Sequence, residues 1–338
     1  MENEKRVALW DNIKFFLILS VVVGHLIDWH TAESGVARSI FLFIYTYHMP
    51  LFIFISGLFY SNRNIRSKCM YYLSVGFALK MVMGIYSFLT GNGFYFSLLS
   101  DGGIPWFMFV LAMFTFVTYC LGNANKYFVL VASIILACFV GYDASVGDFL
   151  YLSRTIVFFP CFYLGVMVDA NKILELKEKQ PKAIFVALAM VVLVGLVCLL
   201  GIDHVYIYRY LLTGRNAYYS EIMSYAMLAR LGCYFISLIM GISIIFIAPI
   251  SRIPFITKAG SNSINIYFWH YVVYCVLEEV TSFSKLYEMG ILGKLAFILC
   301  GLIIVVICAQ ERIFSFPLKQ IKKYCYSQKT VYLGKQKE

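Results

Sequence analysis

Runs of about 20 apolar residues recur along the whole chain, and this repetition limits the fold more than any single motif does. A run of that length matches the ~30 Å hydrocarbon core of a bilayer crossed by an α-helix. Ten segments fit, at roughly 13–30, 37–60, 69–90, 104–121, 127–142, 153–170, 183–202, 222–249, 260–281 and 290–312. Composition agrees. Of 338 residues, 61% are hydrophobic and 14% charged, whereas a soluble domain is nearer half apolar and a quarter charged. Lipid does not tolerate unpaired backbone groups, and the sequence lacks the alternating ten-residue segments of a membrane barrel. The sequence therefore predicts an all-α polytopic membrane protein with about ten transmembrane helices.

The short connections predict an orientation, because Lys and Arg favour the cytoplasmic side. With the N-terminus placed inside, the inner segments hold 19 Lys and Arg and the outer ones 6, while Lys14, Lys80 and Arg230 fall within spans. Both termini are thus expected in the cytoplasm. The formal net charge of +10 reads as this topology signal plus attraction to anionic lipid. It does not point to nucleic acid, because no basic run is long enough. The first span lacks a small-x-small cleavage site and is expected to remain in the mature chain. The ten cysteines are scattered, without a CxxC pair, and read as small buried hydrophobes. The chain divides into an integral-membrane domain, 1–315, and a basic cytoplasmic tail, 316–338.

Polar groups inside these spans carry the functional argument, since each costs ~2.5–3.5 kcal/mol even on the mildest scale. The first span, WDNIKFFLILSVVVGHLIDWH, contains Lys14, His25 and Asp28. Eleven residues at 100° each bring Lys14 and His25 to one helix face, ~16 Å apart along the axis. An acid one turn beyond a histidine fixes its tautomer and supports it as a base, which is the role expected of Asp28. The alternative is that His25 packs between helices and Lys14 snorkels to the interface. The second span contains YHMPLFIFISG and runs the opposite way. Counting inward from each surface puts His48 and His25 at similar depth, as a shared site requires, and Pro50 loosens the helix beside them. After that span comes SNRNIRSK, where Arg63 and Arg66 share a helical face. Arginine forks suit phosphate oxygens, although a positive-inside loop also accounts for them.

In this order the motifs resemble the bacterial integral-membrane acyltransferases called acyltransferase 3, in particular their fucose 4-O-acetylase-like branch. The resemblance rests on Asp11, Lys14 and His25 with their spacing, and on the HMP-type motif with His48, Pro50 and Gly57. It continues with the R-x-x-R pair Arg63 and Arg66, and with Trp106 opening IPWFMFVLAMF. Arg154 and Gly165 lie in SRTIVFFPCFYLG, and His270 closes GSNSINIYFWH. It spans residues 6–315. Lysine stands where many members carry arginine, and the extracellular hydrolase-like domain of larger members is absent from the sequence.

The resemblance implies transfer of an acyl group, usually acetyl, from cytoplasmic acyl-CoA to a hydroxyl of a cell-surface or lipid-linked glycan, in a bacterial cell membrane. Acetyl-CoA is then the donor, no metal is required, and the partners are acyl-CoA, the glycan and the lipid bilayer, with no nucleic acid. Lys14, Arg63 and Arg66 would hold the CoA phosphates. His25 would act as base or transient acyl carrier, assisted by Asp28 or His48. Trp106, Arg154, Arg230 and His270 would meet the acceptor. Three of these have a plainer reading: Trp106 in the aromatic belt, Arg230, like Lys80, paired with an acid such as Glu278 or Glu279, and His270 packed as a polar group. His204 and Arg209, in the outer loop, would touch glycan or only solvent. A transporter or flippase for glycan or acyl cargo is the main competing class. It usually shows inverted repeats and paired broken helices, neither of which the sequence displays. A non-catalytic scaffold would not need two histidines at matched depth.

Overall fold

The computed structural model describes residues 8–100 and 103–334. Lys5 and Arg6, counted above as inner charges, lie outside the described residues, as do Lys335 and Lys337 of the tail. The chain is 80% helical, and no strand occurs among the described residues. In chain order the helices are α1 (Ala8–Asp28), α2 (Gly35–Tyr45), α3 (His48–Leu58), α4 (Ile65–Leu89), α5 (Trp106–Leu121), α6 (Lys126–Phe139), α7 (Leu152–Met167), α8 (Ala170–Lys179) and α9 (Ala183–Leu200). They continue with α10 (Ile202–Val205), α11 (Arg209–Thr213), α12 (Ala226–Ile247), α13 (Pro254–Ser261), α14 (Ser263–Thr281), α15 (Gly290–Cys308), α16 (Glu311–Phe314) and α17 (Leu318–Gly334). A helix lies on each of the ten expected segments. Among the described residues, seven stretches of helix are both long and apolar enough to cross a membrane, and 106–121 and 126–142 are shorter apolar helices.

Helix α1 forms the centre. It is apolar nearly all round and buried on most of its surface, as expected of a helix surrounded by others. Around it pack α2, α3, α13, α14 and α15. The periphery is the reverse. Along α9, Phe185, Val186, Val192, Leu193 and Leu200 are exposed, and an apolar surface of this extent belongs against lipid.

The second expected span is two helices. The chain breaks at Thr46–Tyr47, and Pro50 explains the position. Proline supplies no N–H to the carbonyl four residues earlier, here Thr46, and is tolerated only in the first turn of a helix. The break leaves His48 at the start of α3, where its Nδ1 donates to the Ile44 carbonyl at 2.9 Å.

Two glycines let α3 and α7 touch. A Cβ at Gly57 would lie 1.9 Å from the Phe162 carbonyl oxygen, and one at Gly165 would lie 2.1 Å from that of Phe54. Small residues permit such backbone contact between membrane helices. Gly260 does the same for α13, where a Cβ would sit 1.8 Å from the Asp11 carbonyl oxygen. Beside it the buried Asn12 amide donates to the carbonyls of Pro249 (2.8 Å) and Ser251 (2.9 Å) and accepts from Thr257 Oγ1 (2.6 Å). The base of α1 is thereby tied to the α12–α13 connection.

Several buried cations anchor connecting segments. Lys80 donates to the carbonyls of Ser97 (2.6 Å) and Leu98 (3.3 Å), and Lys177 donates to the Phe246 carbonyl. The tail begins as α17, which packs on α4 with Leu318 and Cys325 buried.

Candidate active site

A cavity of about 930 Å³ follows α1 from Lys14 to Trp29, a rise of roughly 22 Å at 1.5 Å per residue. Its wall is drawn from α1 and from α2, α3, α5, α7, α14 and the 209–219 segment. Lys14, His25, Asp28, His48, Trp106 and Arg154 all line it. Arg63, Arg66, Arg230 and His270 do not.

At one end, Lys14 Nζ lies 3.5 Å from the buried Asp11 carboxylate and 5.7 Å from the Phe59 ring centre. Phe59 is itself part of the cavity wall. The connection that follows is held by Lys68, which donates to the Ser61 carbonyl at 2.6 Å. Arg63 and Arg66 are exposed in this connection.

In the middle, His25 and His48 reach the cavity from separate helices. The Tyr45 ring meets His48 edge-on at 4.5 Å. Since the Ile44 carbonyl can only accept, His48 carries its proton on Nδ1 when neutral, and its Nε2 holds the lone pair. Opposite, the Arg154 guanidinium lies 4.7 Å from the Trp106 ring centre, and Trp106 stacks on Phe158. Cation–π contact of this kind fixes a guanidinium in a dry site. The His25 ring lies 5.5 Å from that of His270 and 6.4 Å from that of Tyr271. His270 forms the layer behind the wall.

At the far end, the expected Asp28–His25 pairing gives way to another. The Asp28 carboxylate lies 3.5 Å from Arg209 Nη2, which also donates through its other arm to the Tyr206 hydroxyl. Arg209, Tyr210, Thr213, Arg215, Asn216 and Tyr219, between α9 and α12, line the cavity. Tyr210 and Tyr219 stack at 4.1 Å, and Arg215 pairs with Asp148. Of these residues the sequence singled out only Arg209. The available signal was a Tyr- and Arg-rich stretch between two spans, with nothing to show that it folds inward.

Arg230 explains why the loop does so. It is 1% exposed, donates to the Leu211 carbonyl and faces the Tyr218 ring. Ser153 Oγ donates to the Gly214 carbonyl at 2.8 Å. Gly214 has φ +66°, and a Cβ there would meet Phe158 at 2.8 Å, so glycine suits both the turn and the space. Glu278, proposed as a partner for buried cations, instead caps Ser284 through its amide (2.9 Å) and hydroxyl (2.6 Å). No cluster of three or more metal-ligating side chains occurs among the described residues.

Searches against curated proteins and solved structures returned no match. The model of a family described as an acyltransferase domain matches residues 7–310, which takes in α1 to α15 and every residue of the cavity named above. This protein belongs to the acyltransferase 3 family of membrane acyltransferases.

Proposed function

We propose that the protein transfers an acyl group, acetyl by preference, from cytoplasmic acyl-CoA to a hydroxyl of a cell-surface or lipid-linked glycan in a bacterial plasma membrane. One observation carries this reading: a single cavity joins a cationic end at Lys14 to a loop of tyrosine, arginine, asparagine and threonine at the other, with His25 and His48 between. The charge distribution of the connections supports a cytoplasmic Lys14 end. The CoA phosphates then rest on Arg63 and Arg66 outside the mouth, and the pantetheine arm passes Lys14 towards His25. The sugar enters from the opposite end, against the 209–219 loop.

In the reaction, His25 takes the proton of the acceptor hydroxyl as its oxygen attacks the thioester carbonyl. The carbonyl oxygen gains negative charge, and Arg154 is the cation placed to meet it. The C–S bond breaks, the ester C–O bond stands, and the CoA thiolate recovers the proton from His25.

The test is acyl transfer by protein reconstituted in liposomes, using [14C]acetyl-CoA and alkali-treated surface glycan as acceptor, with mass spectrometry of glycans from strains with and without the gene. Label entering the glycan supports the reading. Movement of glycan or acyl cargo across the bilayer without any ester formed would replace it with transport.

A further inference from the structure

Asp28 faces Arg209 at 3.5 Å, which leaves open what orients His25. We propose that His270 is the positioning residue of this site: its Nε2 accepts a hydrogen bond from one ring nitrogen of His25 and so turns the lone pair of the other nitrogen into the cavity. This rests on the reading of His25 as the base.

The argument begins with the tautomer of His270. Its Nδ1 lies 2.8 Å from the Tyr267 carbonyl oxygen and 3.0 Å from that of Ile266. Carbonyls only accept, so Nδ1 bears the proton of the neutral ring and Nε2 bears the lone pair. That Nε2 is buried and has no hydrogen-bond partner among the described residues, in a side chain 1% exposed. Buried polar atoms are nearly always paired, and an unpaired one calls for an explanation. The His25 ring is its neighbour, 5.5 Å between centres and tilted by 31°. The last torsion of a histidine is broad, so the His25 ring can turn a nitrogen towards it.

Neighbouring groups suit this role less well. The Tyr271 hydroxyl can accept, but Tyr271 lines the cavity, where reactants compete for it. Arg154 has donors only. His48 offers an acceptor, but it lines the cavity, where reactants compete for it. His270 is set behind the wall, where water and substrate do not reach, so it presents an acceptor to His25 alone. A neutral acceptor also avoids placing a second carboxylate deep in the membrane, which is the costlier way to orient a base.

The test compares His270→Phe, which keeps the ring and removes the acceptor, with His270→Gln, whose amide oxygen reaches the position of Nε2. The first readout is carbethoxylation of His25 by diethyl pyrocarbonate, followed by peptide mass spectrometry. The free lone pair attacks this reagent without any acyl-CoA, so the readout works even if the acyl-transfer reading fails. The rate at His25 should fall several-fold in the Phe variant and recover in the Gln variant. In turnover, His270→Phe should lower kcat ~10–100-fold, the scale for groups that orient a reacting side chain, with KM for acetyl-CoA unchanged. If His270→Phe does not accumulate, His270→Asn replaces it, because its shorter side chain cannot reach His25. His25 reactivity that is unchanged in the variant lacking the acceptor, or that falls equally in the Gln variant, overturns the proposal. Wild-type protein that shows this His25 reactivity but forms no ester would sink the function alone.

Discussion

Asp28 and Arg209 form an ion pair at 3.5 Å, which joins the end of α1 to the start of α11 across 181 positions of sequence. The pair is partly open, with the Asp28 side chain 41% and the Arg209 side chain 24% exposed. Exposed pairs contribute ~0–1 kcal/mol. Asp28→Asn is therefore expected to lower transfer no more than about fivefold, chiefly through KM for the glycan, and Arg209→Gln should add little on top of it. The check is a double-mutant cycle on acceptor KM. A loss in kcat on the scale of a missing base would return Asp28 to the role of partner to His25.

Arg230 makes a separable prediction. Replacing a buried charge by an apolar side chain of similar size is often neutral or stabilising, while the Leu211 carbonyl loses its donor and the loop its anchor. Arg230→Met should keep the melting temperature of the detergent-solubilised protein within a few degrees, yet raise acceptor KM roughly tenfold. A large drop in melting temperature with unchanged KM would make Arg230 a stabiliser of the bundle and nothing more.

The crossing of α3 and α7 tolerates no side chain at its centre. Gly57→Ala and Gly165→Ala each force a Cβ to about 2 Å from a backbone oxygen, and overpacking costs typically ~1–3 kcal/mol or more. Both variants should melt well below the parent protein and accumulate poorly, as read by thermal melting and by size-exclusion chromatography of solubilised membranes. Gly232→Ala, where a Cβ meets nothing within 4 Å, should be silent by the same assay.

Much of this arrangement is legible in the sequence where local geometry decides it. The 11-residue spacing puts Lys14 and His25 on one face because helical periodicity is rigid, and matched depth brings His48 to the same cavity. Pro50 marks the weak point of its span, although the sequence did not show that the helix would break at Thr46–Tyr47. The pairing of Asp28 with Arg209 was not legible, because a helical stripe shows which residues align along α1 but not which distant loop returns to its end. Arg230 and Lys80 illustrate the same limit. An embedded charge announces a function, and here each binds carbonyls of a connecting segment, partners that side-chain chemistry alone does not reveal.

The donor side can be tested by thiol labelling of intact cells in a background stripped of native cysteines. Asp143→Cys, in a predicted outer loop, should react with an impermeant maleimide, and Asn64→Cys, beside Arg63 and Arg66, should not. Labelling of Asn64→Cys alone would invert the orientation and move acyl-CoA to the other face.

The central claim is that His25 performs the proton transfer. The direct measurement is O-acylation of the surface glycan in a deletion strain complemented with His25→Ala, at membrane expression matched to the parent. A lost general base costs ~10²–10⁴-fold in rate, so the variant should insert and fold normally and show at most about a hundredth of the parent's transfer. Retention of more than about a tenth of the activity, well above that range, would contradict the account and place the base elsewhere in the cavity.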